Sequence, residues 1–211
     1  MGDVYISERA YPEVIGYLER AGNSVHTVPF HERLGVYTGD HADLRVIRLK
    51  SKLFYAATAD YAPDYPENAA FCALAFGNYF VHRLDITAPA LLNEATRLGL
   101  ELIDVRQGYT RCSALPVNDN SVITADAGIA RALRERGAEV LEIAPGHVLL
   151  PGYAEGFFGG CAGRVGDTIV FNGDLGAHPD CGRIESFIRE REIGLKSFPG
   201  QPLRDIGSII S

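Results

Sequence analysis

The chain has 211 residues, 46% of them apolar and 22% charged, enough to bury an ordinary core in one domain or two small ones. Its formal net charge of −7 and pI near 5.4 argue against nucleic acid and anionic membrane as partners, because binders of either carry a basic patch. The four cysteines are too widely and irregularly spaced for a disulfide scaffold or a zinc finger, and no apolar run approaches bilayer length, so a cytoplasmic protein with reduced thiols is expected.

The first residues, Met1 to Glu8, lack the basic and apolar regions of a secretory leader, and Ile6 stands where myristoylation needs Ser or Thr. Short apolar strands are predicted at 3–7, 52–56, 78–82, 121–125 and 168–172, each opening a unit of similar design. In the first unit a helix is predicted over 12–22. In the second, residues 58–66 are too few and too proline-bearing for a helix, so this unit has lost its own. The third unit offers Thr87 as N-cap, Pro89 in the first turn and Gly99 as terminator, followed by a strand at 101–105. A helix over 126–137 carries Ile129 and Leu133 on one buried stripe before a strand at 139–143, and a helix over 178–191 buries Ile184, Phe187 and Ile188. The clustered Arg131, Arg134, Arg136, Arg189 and Arg191 fall on these helices and read as a solvated outer face.

A third strand completes each unit, at 41–47, 68–74, 110–116, 158–163 and 205–210. These segments are rich in small residues, as strands are where backbones approach closely, and in a ring of repeats that place is the central axis. Units that cannot bury their apolar faces alone must pack against neighbours, so one domain spanning 1–211 and closed into a ring is expected.

The order strand, helix, strand, strand, together with the segments 107–113 (Gln-Gly-Tyr-Thr-Arg-Cys-Ser), 65–68 (Tyr-Pro-Glu-Asn), 178–180 (His-Pro-Asp) and 205–210 (Asp-Ile-Gly-Ser-Ile-Ile), resembles the guanidine-modifying-enzyme (GME) or pentein superfamily. The resemblance covers nearly the whole chain and is nearest to a small branch of GME-fold proteins. It implies a pentein-like α/β-propeller of five units about a pseudo-five-fold axis, as in arginine deiminases and dimethylargininases. In hydrolytic members a cysteine on the last central strand attacks the guanidinium carbon, but here that strand reads Gly207-Ser208, and the carboxylates that would hold the guanidinium fall at Ala73 and at Arg111 to Ser113. The resemblance places the acid–base histidine at His147. Ordinary arginine deimination is therefore not expected.

Cys72 and Cys161 occupy matching repeat positions and Cys112 lies on the same strand face two residues earlier, so three thiols can face one small cavity. Such a set suits a thiolate nucleophile or a soft-metal site with His147 as base or ligand, and equally suits small buried apolar groups in a packed channel. If Arg111 turns inward its cation lowers the Cys112 thiol pKa, and Cys112 would then alkylate before Cys181. His178 and Asp180 read as a helix cap, Gly159-Gly160 as tight packing rather than a phosphate loop, and His41 with Asp43 either faces the axis or sits at an edge. Asp205 binds a cationic ligand or pairs with backbone or arginine.

The functional expectation is an axial pocket for a small guanidino or amino-acid-like ligand. Its activity, if any, is cysteine-dependent carbon–nitrogen hydrolysis, with Cys112 as nucleophile, His147 as general base and Asp43 or Asp205 orienting the cation. Cys72, Arg111, Ser113 and Cys161 complete the pocket, and neither cofactor nor metal is called for. The alternative is a non-catalytic binding protein with a degenerate site and a protein partner. The superfamily offers a precedent in a ribosome-binding anti-association factor that uses the propeller without hydrolysis.

Overall fold

The computed structural model describes residues 2–211, so Met1, with which the leader reading begins, lies outside it. The chain opens with β1 (Asp3–Ser7), α1 (Pro12–Arg20) and β2 (Ser24–Val28), the two strands pairing in parallel. Pro12 starts the helix where its missing N–H costs nothing, and Val14 and Leu18, one turn apart, bury it against the sheet. Next come β3 (Val46–Leu49) and β4 (Lys52–Tyr55), an antiparallel hairpin with no helix after it. Only single turns at Thr58–Asp60 and Glu67–Ala69 follow, as the prolines predict.

The other three units share one plan. The third is β5 (Leu74–Phe76), β6 (Tyr79–His82), α2 (Pro89–Arg97) and β7 (Glu101–Asp104). The fourth begins with the single turn α3 (Thr110–Ser113), then β8 (Ala114–Pro116), β9 (Ser121–Thr124), α4 (Ala127–Arg134) and β10 (Glu139–Glu142). The fifth comprises β11 (Ala162–Val165), β12 (Thr168–Phe171), α5 (Cys181–Arg189) and β13 (Gly194–Lys196). In each, the opening strand is central, antiparallel to the strand before it and parallel to the strand after the helix. Thus Val81 faces Leu74 and Ile103, and Ile123 faces Leu115 and Leu141. The result is a mixed α/β protein of five small sheets, three with three strands and two with two, and not a single closed barrel. Tyr5 and Ile210 exchange backbone hydrogen bonds of 2.7 and 3.0 Å, so the last segment lies antiparallel on β1.

The core is distributed between the sheets. Val4 and Ile6 pack with Val170, Ile206 and Ile209, joining the first sheet to the fifth. Val28 meets Val46, joining first to second, and Ile47 and Leu49 meet Phe80 and Leu91, joining second to third. Val81 and Ile103 meet Val122 and Ile129, joining third to fourth, and Leu115 and Ile123 meet Ile169 and Phe171, joining fourth to fifth.

Three details differ from the sequence reading. The expected third strands begin as helical turns, at Ala42–Leu44, Glu67–Ala69, Thr110–Ser113 and Gly159–Cys161, before the strand proper, and residues 205–210 contribute only the bridge at Ile210. Their small residues serve these crowded turns: a side chain at Gly160 would collide with the Asp205 carboxylate. Thr87 is not the N-cap of α2, which is Ala88; the hydroxyl is buried on His82 Nδ1 at 2.7 Å. Asp126 does cap α4, accepting the Ile129 N–H at 2.8 Å. Finally, Arg136 and Arg191 lie beyond their helix ends and pair with Glu101 and Glu139. No helix among the described residues is long and apolar enough to cross a membrane.

Candidate functional site

The inner turns of several units meet at one buried centre. The turn before β3 carries His41 and Asp43, α3 carries Arg111 and Cys112, and the final segment carries Asp205 and Ser208. Backbone bonds fix them: Asp43 N–H donates to Gly207 O at 3.0 Å, Arg111 N–H to Cys72 O at 3.0 Å and Ser208 N–H to Gly160 O at 2.8 Å. Gly207 has φ 68° and lies against His41, a conformation and a proximity that exclude a side chain.

The Cys112 thiol donates to Asp43 Oδ2 at 2.8 Å, and the same oxygen accepts the Ser208 hydroxyl at 2.6 Å. Cys72 Sγ is 3.7 Å from Cys112 Sγ. Asp43 Oδ1 is buried without a hydrogen-bond partner. Burial raises the Asp43 carboxyl above its ordinary value, against the opposing pull of His41, Cys112 and Ser208. Burial also lifts the Cys112 thiol well above its ordinary value, with Cys72 and the Asp43 charge adding to the effect. Desolvation lowers His41, which is therefore a neutral imidazole at neutral pH.

Asp205 takes two backbone donors, Phe157 N–H at 2.9 Å and Gly207 N–H at 3.0 Å, and its Oδ1 is 3.9 Å from His41 Nδ1. Desolvation outweighs those bonds and pushes its carboxyl up to about 6. Of the two alternatives in the sequence, backbone and not arginine is its partner. Arg111 turns inward, yet not onto sulfur: Nη1 donates to Ala114 O and Gly159 O at 3.3 and 3.2 Å, and Nη2 to Ala162 O and Ile209 O, both at 3.3 Å. The expected lowering of the Cys112 pKa fails because the guanidinium is spent on carbonyls while the thiol is desolvated.

Other expected members lie elsewhere. His147 is exposed, in a loop with φ 65°, its ring centroid 5.4 Å from that of His178, so it is not the partner of Cys112. Cys161 donates to Phe158 O at 3.1 Å within the fifth unit's core and does not join the other two thiols. Ser113 Oγ is buried without a partner. Asp180 stands at the N-cap of α5, but its carboxylate accepts from Ala144 N–H at 2.7 Å and from Arg183 at 2.7 Å rather than closing the cap. His41 and Ser208 were not among the expected site residues. The one signal for His41 was its position two residues before Asp43 on an inner segment.

His41, Asp43 and Cys112 each offer a ligand atom, all within 4.8 Å of one another, and are the residues that can hold a soft divalent ion. Tyr109 closes the centre from one side, its ring packed on Leu44, Cys72 and Cys112 and its hydroxyl donating to Asn68 Oδ1 at 2.7 Å. A crevice of about 10 Å³, room for one water, lies beside His41 and Asp205 and is bounded by Arg9, Tyr37 and Asp40. On the other side of Arg111 is a cavity of about 480 Å³ whose lining includes neither Cys112 nor Asp43.

Fold and centre together define a mixed α/β protein with a dry thiol–carboxylate–imidazole cluster. The chain belongs to the family of unknown function DUF6873, whose model matches residues 52–210. That span holds Cys72, Arg111, Cys112, Asp205 and Ser208, while His41 and Asp43 precede it. No curated protein matches the chain.

Proposed function

We propose that the protein is a pentein-like α/β-propeller whose buried centre hydrolyses a carbon–nitrogen bond of a small cationic ligand, guanidino or amino-acid-like. The propeller is supported by the cyclic order of the core contacts, each sheet packing on the next and the fifth on the first, and by the repeated strand order within units. The function rests on one observation: the Cys112 thiol donates to Asp43 beside a neutral His41, and neither Asp43 nor Asp205 has an arginine or lysine partner among the described residues.

A buried carboxylate without a counter-charge is costly, and an amidinium admitted when the packed centre opens supplies the missing charge. Its charge stabilises the Cys112 thiolate as the thiol proton passes to Asp43, to which the thiol already donates. The thiolate then attacks the amidinium carbon, forming a C–S bond. Asp43 returns the proton to the departing nitrogen as the C–N bond breaks and an amine leaves. Water adds to the same carbon, giving one proton to His41; collapse then breaks the C–S bond and releases the carbonyl product, its hydroxyl proton passing through solvent to the freed amine, which ends as an ammonium ion, while His41 reprotonates the thiolate.

The test is release of ammonia or amine from a panel of guanidines and amidines. Turnover is expected to vanish in Cys112→Ala and to fall in Asp43→Asn, while His147→Ala retains it and arginine itself gives no citrulline. Turnover that survives Cys112→Ala overturns the assignment.

A second reading, a non-catalytic binder of a protein partner, draws on the aromatic rings at the surface beside this centre. Tyr37 and Tyr153 pair edge to face at 6.0 Å, and Tyr65 and Phe157 flank Tyr109, all four substantially exposed. Silence across the whole substrate panel would favour this reading.

A further inference from the structure

We propose that the cavity of about 480 Å³ on the far side of Arg111 is a binding site for a compact multivalent anion, bearing phosphate or carboxylate groups. Four cationic side chains line it, Arg48, Lys50, Arg111 and Arg164, against a single acidic side chain, Asp119. On a chain of net charge −7 that is a local inversion of sign. It is invisible in the sequence because the four come from three distant stretches of chain: Arg48 and Lys50 from the β3–β4 hairpin, Arg111 from α3 and Arg164 from β11.

These cations differ from the arginines at and just beyond the end of α4, which are matched to glutamates at Arg134–Glu142 and Arg136–Glu101. Among the described residues Arg48, Lys50 and Arg111 form no salt bridge, and Arg164 has only the almost fully exposed Asp167 at 3.7 Å. Their hydrogen bonds go instead to backbone and amide oxygens: Arg48 Nε donates to Ser211 O, Lys50 to Gly77 O and Asn78 Oδ1, and Arg164 Nε to Gly166 O. Such bonds orient the cations without cancelling their charge. Clustered cations on low-dielectric walls focus a positive potential into the cavity, and guanidinium forks match the paired oxygens of phosphate and carboxylate. The volume lies in the range of small-molecule sites, roughly 300–1,000 Å³.

The centre around Cys112 plays no part in this inference, and the two stand or fall separately. Calorimetric titration at low ionic strength with pyrophosphate, with citrate and with spermidine as a cationic control tests it. One saturable site is expected for pyrophosphate or citrate and none for spermidine. Removing one guanidinium by Arg48→Ala or Arg164→Ala should weaken binding about tenfold, the effect of one charge-assisted contact. Both side chains are only partly buried, so melting temperature serves as the check that each variant is folded. Cys112→Ala should leave the affinity unchanged. Absence of saturable binding by both anions overturns the proposal, and so does binding that is indifferent to Arg48→Ala and Arg164→Ala in folded protein.

Discussion

Arg111 divides two environments that are opposite in almost every respect. On one side Asp43, Asp205, His41 and Cys112 are packed without room for more than a water, and acids lack a counter-ion. On the other, four cations surround an open cavity with one acidic side chain in its lining, Asp119, and bond chiefly to backbone and amide oxygens. The dry side alters its titratable groups strongly, because desolvation acts on every one of them, whereas Arg48, Lys50 and Arg164 keep contact with solvent. Burial sets chemistry on one side and leaves recognition on the other.

The sharpest way to break this contrast is to remove the partition. Arg111→Met deletes a buried cation on which four carbonyls from three inner segments converge. A loss of about 3–5 kcal/mol is expected. Urea denaturation of the variant within 1 kcal/mol or so of the parent would show that the hub is dispensable.

Next in size is a pH effect. The folded protein holds the Asp205 proton up to about pH 6, whereas the unfolded chain releases it near 3.8, so this residue removes stability as pH rises between those values, about 3 kcal/mol in all. His82 acts in the other direction. Buried between Thr87 and Gly108, it stays neutral down to about pH 4, while the unfolded histidine protonates near 6.5, so stability is lost as pH falls through that window. In the parent the two slopes offset. Asp205→Asn should therefore expose the His82 slope and make the protein more acid-labile relative to neutral pH, and His82→Gln should do the reverse. Parallel stability–pH curves for parent and Asp205→Asn would contradict the assignment.

A third comparison concerns thiols. Cys181 is half-buried, whereas Cys112 is 3% exposed, with its thiol held protonated. Alkylation of the native protein should reach Cys181 first, by about a hundredfold if Cys112 waits for a local opening costing roughly 2–3 kcal/mol. This reverses the order expected from Arg111 alone; faster labelling of Cys112 would mean that the centre opens readily. The smallest effect is expected on the wet side, where Arg48→Ala should change stability by no more than about 0.5 kcal/mol.

The opening strands and the helices were legible because their apolar residues recur with the period of the element and Pro, Gly and Asp mark the ends, as in α1 and α4. The inner segments were legible as a repeat but not as geometry, since Gly159, Gly160 and Cys161 fit an extended segment as well as a turn until Asp205 is placed against them. The candidate centre was half visible. Cys112, Cys72, Asp43 and Asp205 were named, but their partners are set by packing between residues as far apart as Asp43 and Ser208. Matching repeat positions put Cys161 with Cys72, yet the local Phe158 carbonyl takes its thiol. The resemblance puts the acid–base role on His147, and a short motif match carries no information on the left-handed loop that turns it outward.

The pairing of Tyr5 with Ile210 gives the protein an unusual history on the ribosome. The segment that pairs with β1 is made only after all the intervening units, so the strand must wait through their synthesis with one row of backbone groups unmatched. Contacts of such sequence separation form slowly, and each intermediate sheet can assemble beforehand as a local hairpin or βαβ unit. The pairing of Tyr5 with Ile210 is thus a late event relative to the sheets between them, and chaperone engagement of the nascent chain should be concentrated on the waiting β1 edge.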